Sequence, residues 1–277
     1  MTLFAFVVVL VASAVVLVVV WLPRWREVRV TIPEGKTRHD IAALLERHEI
    51  CRADAFVAAT EDVALLRSLG LPGDTAEGYL FPDTYHLRRD TPAPAVVQRF
   101  VRNAERRFAA VVQAVPQGLP RLQRELGWGL HEAVVLASIV EEEAAVHDER
   151  ATIAGVFLNR LTDPSFRPRR LQADPTVVYG CTLRPPPASC ASFDGRRITR
   201  AMLGATDNPY NTYRHEGLPP GPITNPGAAA LRAVLAPAHH AYLYFVASGG
   251  GRHTFSATLP DHARAVQQRR AADAGGH

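Results

Sequence analysis

Three adjacent carboxylates, Glu141, Glu142 and Glu143, end an apolar stretch that is predicted to be helical. Consecutive helical positions point about 100° apart, so the three side chains cannot share one environment. Glu141 lies seven residues after Val134, on the same helical face, and could project from the buried stripe. Glu142 lies seven residues after Val135 and could do the same, so spacing alone does not choose between them. Burial raises the pKa of a carboxylic acid, which lets a glutamate act as a general acid near neutral pH. The helix alone favours the alternative, a solvated acidic helix end.

Other chemistries lack their usual residue patterns. The sequence contains no His-Glu-x-x-His or Cys-x-x-Cys motif, no glycine-rich phosphate loop after a strand and no Gly-x-Ser-x-Gly motif. Structural or surface roles are therefore expected for the eleven histidines. Neither a metal nor a cofactor is predicted.

The three cysteines leave two interpretations open. Cys181 and Cys190 flank a proline-rich loop, and in an oxidising compartment they could form a disulfide that leaves Cys51 free. In a cytosolic chain all three would be inert thiols. The sequence slightly favours the disulfide.

The elements that would position the acidic cluster are mostly helices. The cluster ends a helix predicted over residues 130–146, and a second helix is predicted over residues 149–161. Beyond them, residues 162–241 are rich in Pro, Gly and Asn and are predicted to be irregular. Helical spacing also predicts helices over residues 62–69 and 94–115, with a loop around residues 116–120.

Turn residues predict two strand-containing units, one near each end of the chain. A strand over residues 28–32, a Pro-Glu-Gly turn and a helix capped by Thr37 form the first unit. A hairpin around Gly249, Gly250 and Gly251 and a terminal helix over residues 259–271 form the second. No strand–helix alternation of the doubly wound kind occurs, so the predicted fold class is α+β.

Composition and charge narrow the function classes. The chain has 277 residues, of which 47% are hydrophobic and 21% charged, and this balance excludes a disordered or collagen-like protein. The net charge of +4 comes from dispersed arginines, because Lys36 is the only lysine. Such a diffuse charge does not predict nucleic-acid binding, but it suits an anionic surface such as a membrane or cell wall.

Residues 3–22 contain no charged residue and are long enough to span a bilayer. A single membrane anchor is predicted. The alternatives are a cleaved signal peptide, for which a basic start and a cleavage site are missing, and a buried globular helix. Orientation stays open, because Arg24, Arg26 and Arg29 follow the span and the positive-inside tendency would keep them in the cytoplasm.

Seven segments, in order along about 190 residues, resemble the endolytic murein transglycosylases, the MltG or YceG-like family. The segments are EGYLFPDTY (77–85), LASIVEEEA (136–144), IAGVFLNRL (153–161), LQADPTVVYG (171–180), PYNTY (209–213), GLPPGPITNPG (217–227) and YLYFVASGGGRHTFSATLPDHARAV (242–266). Their order makes the resemblance specific.

The resemblance implies roles for particular residues. The family's catalytic glutamate is the first acid after the Ala-Ser-Ile-Val run, which is Glu141 in this chain. By analogy with other lysozyme-like transglycosylases, five residues become candidates for substrate binding: Gln172, Asp174, Tyr210, Asn211 and Tyr213. A structural role in fixing loop turns is an equally open alternative for each.

The resemblance also implies an organisation and a location. The expected parts are a transmembrane anchor (3–22), a LysM-like module (28–75) and a lysozyme-like, mostly helical catalytic domain (76–271) with a C-terminal hairpin. The protein would be a single-pass protein of the cytoplasmic membrane with its catalytic domain outside. Peptidoglycan glycan strands would be its substrate, peptidoglycan synthases are conceivable partners, and nucleic acid is not expected.

Two features depart from the family pattern. A lysine usually follows the catalytic glutamate, whereas this chain has Glu142, whose negative charge would raise the pKa of Glu141. Only one Pro-Glu-Gly strand–helix unit occurs where relatives commonly carry two. A complete LysM-like fold and glycan binding by it are therefore open.

The implied reaction cleaves the β-1,4 bond between N-acetylmuramic acid and N-acetylglucosamine without water, leaves a 1,6-anhydro end and would terminate nascent strands. Glu141 would serve as acid and then as base, which removes the need for the second carboxylate of ordinary glycosidases. One alternative is a water-using muramidase with Glu77 or Asp174 as second carboxylate. The other is a non-catalytic scaffold that binds peptidoglycan.

Overall fold

The structure is a computed structural model that describes residues 27–195 and 197–275. It combines many helices with two small antiparallel sheets, which confirms the α+β class in outline. The predicted anchor (3–22) lies outside the described residues. Among the helices of the described part, none is long and apolar enough to cross a membrane.

The first unit begins with strand β1 (Glu27–Thr31), which pairs antiparallel with β2 (Thr84–Arg88). The turn after β1 leads into helix α1 (Arg38–Arg47), whose start is fixed by a reciprocal capping box between Thr37 and Asp40. Helices α2 (Ala53–Thr60) and α3 (Val63–Ser68) follow. The predicted strand, turn and capped helix are confirmed.

Strand β2 was not predicted. Its side chains alternate, with Tyr85 and Leu87 buried and His86 exposed. The pairing connects residues on both sides of the predicted module boundary at residue 75, and one hydrophobic core, running from Val30 and Ile41 to Phe157 and Leu231, continues across it.

The larger unit is helical. Its helices are α4 (Ala93–Ala114), α5 (Gly118–Leu126), α6 (Leu130–Glu143), α7 (Arg150–Thr162), α8 (Asp174–Cys181), α9 (Arg200–Gly204) and α10 (Ala228–Leu235). Helix α6 is its centre, because every residue from 133 to 140 is buried. Helix α10 packs against α4, α6 and α7.

Two sequence predictions were wrong in this unit. Helix α5 begins inside the predicted loop, because a proline in the first turn, here Pro120, removes no helical hydrogen bond. Helices α8, α9 and α10 lie within the stretch predicted to be irregular. The abundance of Pro, Gly and Asn in the intervening loops concealed short helices such as the Ala-rich α10.

The chain ends with a hairpin, β3 (Tyr244–Gly249) and β4 (Arg252–Ser256), and helix α11 (Leu259–Gly275), which packs on it. Gly249, Gly250 and Gly251 all have positive φ, as the predicted turn requires. Cys181 and Cys190 form a disulfide, with their Cα atoms 5.2 Å apart, and Cys51 is outside it.

Candidate active site

The loop that precedes α10 is fixed across the end of α6 by hydrogen bonds. The backbone N–H of Ile223 donates to the Ser138 hydroxyl at 3.0 Å, and the Thr224 hydroxyl donates to the Ser138 carbonyl at 3.3 Å. One turn further along α6, the N–H of Gly227 donates to Oε2 of Glu141 at 2.9 Å. Ser138 therefore positions the loop, and the loop positions the carboxylate.

Glu141 forms a buried ion pair. Its Oε1 lies 2.5 Å from an Nη atom of Arg150, and the two side chains are 4% and 7% exposed. Arg150 is the first residue of α7, and its guanidinium also contacts Nδ1 of His147. A second carboxylate, that of Glu34, lies 3.6 Å from the same Nη atom.

The residue before Arg150 connects the centre to the hairpin. The buried Glu149 carboxylate accepts a hydrogen bond from the His253 backbone N–H at 3.2 Å and lies 2.8 Å from His253 Nδ1. This contact holds β4 against the start of α7. It therefore fixes the backbone from which Arg150 reaches Glu141.

The three adjacent glutamates have separate surroundings, as helical spacing requires. Glu142 lines a cavity of about 330 Å³, and the combination of partial burial and the adjacent Glu141 charge raises its pKa to about 7. Burial, assisted by the charge of Asp174 and opposed by Arg160, also raises the pKa of Glu143 to about 7. Glu141 is buried in its ion pair and is not among the residues that line this cavity, which include its neighbour Glu142.

Asp174 and Tyr213 come together at the cavity. The Tyr213 hydroxyl donates to Asp174 Oδ1 at 2.6 Å, and Asp174 lines the cavity together with Glu142. Burial and the hydrogen bond to Asp174 raise the pKa of Tyr213 well above its usual range. The two loops that carry these candidates are joined, because the N–H of Gln172 donates to the Thr212 carbonyl at 3.1 Å.

The other three candidates are placed differently. Gln172 is exposed, and its φ of 54° lies in the left-handed region. Tyr210 is half-buried and packs on the ring of Tyr179, a cavity-lining residue, at 4.8 Å. Asn211 is fully buried, and its Nδ2 donates to three backbone carbonyls of the 202–205 segment. In this arrangement Asn211 has the structural role that the sequence left open.

Glu77, the alternative second carboxylate, is enclosed. It is 1% exposed, and it accepts hydrogen bonds from the Arg38 backbone N–H at 3.0 and 3.2 Å and from Asn225 Nδ2 at 2.7 Å. Burial raises its pKa to about 8. Asn225 also donates to the Lys36 carbonyl and accepts from the Leu80 N–H. Glu77 and Asn225 therefore form a hydrogen-bonded connection between the two units, which we call the clamp.

Sequence reasoning missed three residues of the centre: Glu34, Arg150 and Gly227. One signal was available for Arg150, because a cation at the start of a helix opposes the helix dipole and needs a carboxylate partner. The Pro-Glu-Gly turn gave only a turn prediction, and no local pattern connects Glu34 with α7.

Fold and site together define a helix-rich α+β protein whose candidate centre is a buried carboxylate at the C-terminal end of a central helix, supported by an arginine beside a cavity. The chain belongs to the YceG-like family, whose profile matches residues 11–268. The resemblance found in the sequence is thereby confirmed.

Relatives and a solved structure agree with this assignment. The chain is 32% identical over 257 residues to the endolytic murein transglycosylase of Bacillus subtilis (strain 168) and 28% identical over 263 residues to that of Streptococcus pneumoniae (strain D39). These alignments cover 87% and 86% of this chain, but the chain spans only 64% and 44% of the two relatives. A crystal structure of a YceG-like protein from Listeria monocytogenes matches with a TM-score of 0.70 and 29% identity, covering 85% of this chain and 75% of that one.

Proposed function

We propose that this protein is an endolytic murein transglycosylase that cleaves the β-1,4 bond between N-acetylmuramic acid and N-acetylglucosamine and leaves a 1,6-anhydro end. The names of the Bacillus and Streptococcus relatives support the activity. The observation that carries the proposal is the position of Glu141, a buried carboxylate that is fixed by Gly227 and Arg150 and precedes the cavity-lining Glu142.

The reaction needs one group that gives a proton and takes one back. Protonated Glu141 donates to the glycosidic oxygen as the bond from that oxygen to C1 of the muramyl sugar breaks. The Glu141 carboxylate then removes the proton from the C6 hydroxyl of the same sugar, and O6 bonds to C1. No water is consumed, and Glu141 ends protonated as it began.

The surroundings of Glu141 suit both steps. The Arg150 guanidinium and the Gly227 N–H stabilise the carboxylate that acts as base, because charge-assisted hydrogen bonds are the strong ones. They also hold the side chain in one orientation, which is the main requirement for efficient proton transfer. The acid step requires the partnership with Arg150 to loosen while Glu141 carries its proton.

The cavity beside Glu142 is the proposed place for the glycan strand. It presents two carboxylates and the hydroxyls of Thr37 and Thr224 on a wall that also contains apolar side chains such as Ile223. Carbohydrates bind to such mixed surfaces through hydroxyl hydrogen bonds and apolar contacts. Asp174 with Tyr213, and the exposed Gln172, are the proposed glycan contacts.

The location is proposed from the sequence and the cysteines. Residues 3–22 would anchor the chain in the cytoplasmic membrane, and the Cys181–Cys190 disulfide suits an oxidising space outside the cytoplasm. The 1,6-anhydro ends would terminate growing strands there. A C-terminal alkaline phosphatase fusion should be active, whereas activity of a cytoplasm-only reporter at the same position would contradict this placement.

Digestion of purified sacculi tests the activity. The full chain should release muropeptides one water lighter than those with reducing ends, and Glu141→Gln should reduce the rate by roughly 10² to 10⁴-fold. Glu105→Gln, an exposed glutamate on α4, is the matched control and should keep the wild-type rate. Reducing ends in the wild-type products would favour the water-using muramidase, and binding without any cleavage would favour the scaffold.

A further inference from the structure

The Pro-Glu-Gly turn of the first unit is attached to the loop that carries Gly227. Gly35 N–H donates to the Asn225 carbonyl at 3.2 Å, and Asn225 N–H donates to the Lys36 carbonyl at 3.1 Å. This two-way backbone pairing works like a short piece of sheet. It places the turn directly beside the end of α6, although more than 100 residues separate the two in the sequence.

Two glycines allow this close approach. A Cβ at Gly35, whose φ is 72°, would lie 2.8 Å from Oε1 of Glu142. A Cβ at Gly227 would lie 1.8 Å from Oε1 of Glu34. The Glu34 carboxylate therefore rests on the backbone of the residue whose N–H binds Glu141.

Glu34 and Glu141 share one cation. Oε2 of Glu34 and Oε1 of Glu141 lie 3.6 and 2.5 Å from the same Nη atom of Arg150. The guanidinium is 7% exposed, and its Nε has no hydrogen-bond partner within the described residues. Glu34 is 42% exposed, so its carboxylate is partly solvated while it faces the buried guanidinium.

Sharing a cation matters at the moment when Glu141 is neutral. A buried guanidinium without a carboxylate partner is strongly unfavourable, and that cost would oppose protonation of Glu141. A second carboxylate within reach lowers the cost, because the guanidinium can shift toward it.

We propose that Glu34 is a positioning residue for the reaction. Glu34 holds the Arg150 guanidinium while Glu141 carries the proton, and the guanidinium shifts back to Glu141 when Glu141 becomes the carboxylate. This inference rests on the proposed function, whose acid step it explains. It makes the first unit part of the catalytic centre rather than only a module that binds glycan.

Other charged groups surround this exchange. They are Glu141 and Glu142 at the end of α6, His147 and Glu149 in the segment before α7, Lys36 and Asp40 around the start of α1, and Arg252 and His253 on β4. Glu142, with its pKa of about 7, titrates in the range of interest. Glu142 is present in wild type and in a Glu34 variant, so a Glu142→Gln background for both removes its titration from the comparison.

Glu34→Gln in the full chain tests the inference. With uncrosslinked glycan strands as substrate, we expect kcat to fall roughly 10- to 100-fold, because the proton-transfer geometry is disturbed. KM should stay within about twofold. The alkaline limb of the kcat profile should move to lower pH, because Arg150 would then favour charged Glu141 alone. Glu34→Asp keeps the charge one methylene further away and should recover part of the loss.

Glu105→Gln is again the matched control, and the thermal unfolding midpoint shows whether each variant is folded. A fall in kcat smaller than about fivefold, a change in KM alone, or an unmoved alkaline limb would overturn the role of Glu34. The mass of the wild-type products tests the proposed function separately. Wild-type products with reducing ends would therefore refute the proposed transglycosylase activity. The ratio of the Glu34→Gln kcat to the wild-type kcat tests only the role of Glu34.

Discussion

Glu77 and Glu141 are both withdrawn from solvent, yet their partners differ in kind. Glu77 takes its hydrogen bonds from neutral donors, namely the Arg38 backbone N–H, the Asn225 amide and, at 3.4 Å, the Tyr179 hydroxyl. The Arg38 guanidinium pairs with Glu61 and acts on Glu77 only through its charge. Glu141 has a charged partner, Arg150, which is itself shared with Glu34. The clamp around Glu77 joins two units of the fold, whereas the centre around Glu141 ends a helix beside a cavity.

The difference shows how a buried carboxylate can be assigned a role. Neutral donors whose positions are fixed favour the carboxylate, but they cannot move when a proton arrives or leaves. A mobile cation with a second carboxylate within reach instead allows charge to be redistributed when a proton arrives or leaves. Burial alone therefore does not distinguish a catalytic glutamate from a structural one, but the mobility and charge of its partners do.

Arg150→Gln should cause the largest loss of stability, about 3 to 5 kcal/mol, because it leaves the buried Glu141 without its cation. Glu141→Gln should cost far less, since Glu34 still faces Arg150. Equilibrium denaturant unfolding of the purified chain measures both.

Arg52→Gln is the matched control, because Arg52 pairs with Asp54 on the surface, where solvent screens the pair, and the variant should stay close to wild type in stability. Adding Glu141→Gln to Arg150→Gln should restore most of the stability. If the two losses simply add, Arg150 does not stabilise the centre through Glu141.

Asn225→Ala should affect the clamp and spare the chemistry. It removes the hydrogen bonds of the amide with Glu77, Lys36 and Leu80, and the buried groups left behind should cost about 3 kcal/mol. The rate per folded molecule should stay within about threefold of wild type, because the backbone pairing with the turn does not need the side chain. Denaturant unfolding and the digestion assay measure the two effects.

Gln113→Ala, an exposed amide on α4, is the control for loss of an amide side chain. A large fall in the rate of folded Asn225→Ala would mean that the clamp and the centre act as one unit. The contrast between Glu77 and Glu141 would then be lost.

Local chemistry made parts of the fold predictable. The capping box of Thr37 with Asp40 and the glycines of the β3–β4 turn are each formed within a few residues, so the sequence displays them. The partner of β1 could not be predicted, because β2 lies 53 residues away and its selection depends on packing. The helix α10 was missed for a similar reason, since its burial against α6 outweighs the composition of its surroundings.

The candidate site follows the same rule: residues within recognisable sequence segments were predictable, and contacts between distant segments were not. The family resemblance pointed to Glu141 and to five candidate contacts, of which the structure joins Asp174 and Tyr213 by a hydrogen bond of 2.6 Å between the tyrosine hydroxyl and Asp174 Oδ1. The shared cation was not predictable, because Glu34, Glu141 and Arg150 come from three separate segments that meet only in the folded chain. A residue whose role lies in its distance from another leaves no local pattern in the sequence.

Glu77→Gln should have the smallest effect near pH 5, and the variant should become increasingly more stable than wild type as pH rises. The folded-state pKa of Glu77 is about 8, above the ordinary value of 4.5, so the folded protein holds a proton that the unfolded chain releases. This contribution to the free energy of unfolding is complete below the ordinary value and is lost as pH rises through 8, at up to about 1.4 kcal/mol per pH unit. Glutamine resembles the protonated acid, so the variant should match wild type near pH 5 and be more stable than it near pH 8. Denaturant midpoints at both values, with Glu105→Gln as control, test this. A variant that is less stable than wild type at pH 8 would show that the folded protein holds Glu77 as a carboxylate. Glu77 would then be a charged group like Glu141, and the contrast between the two would fail.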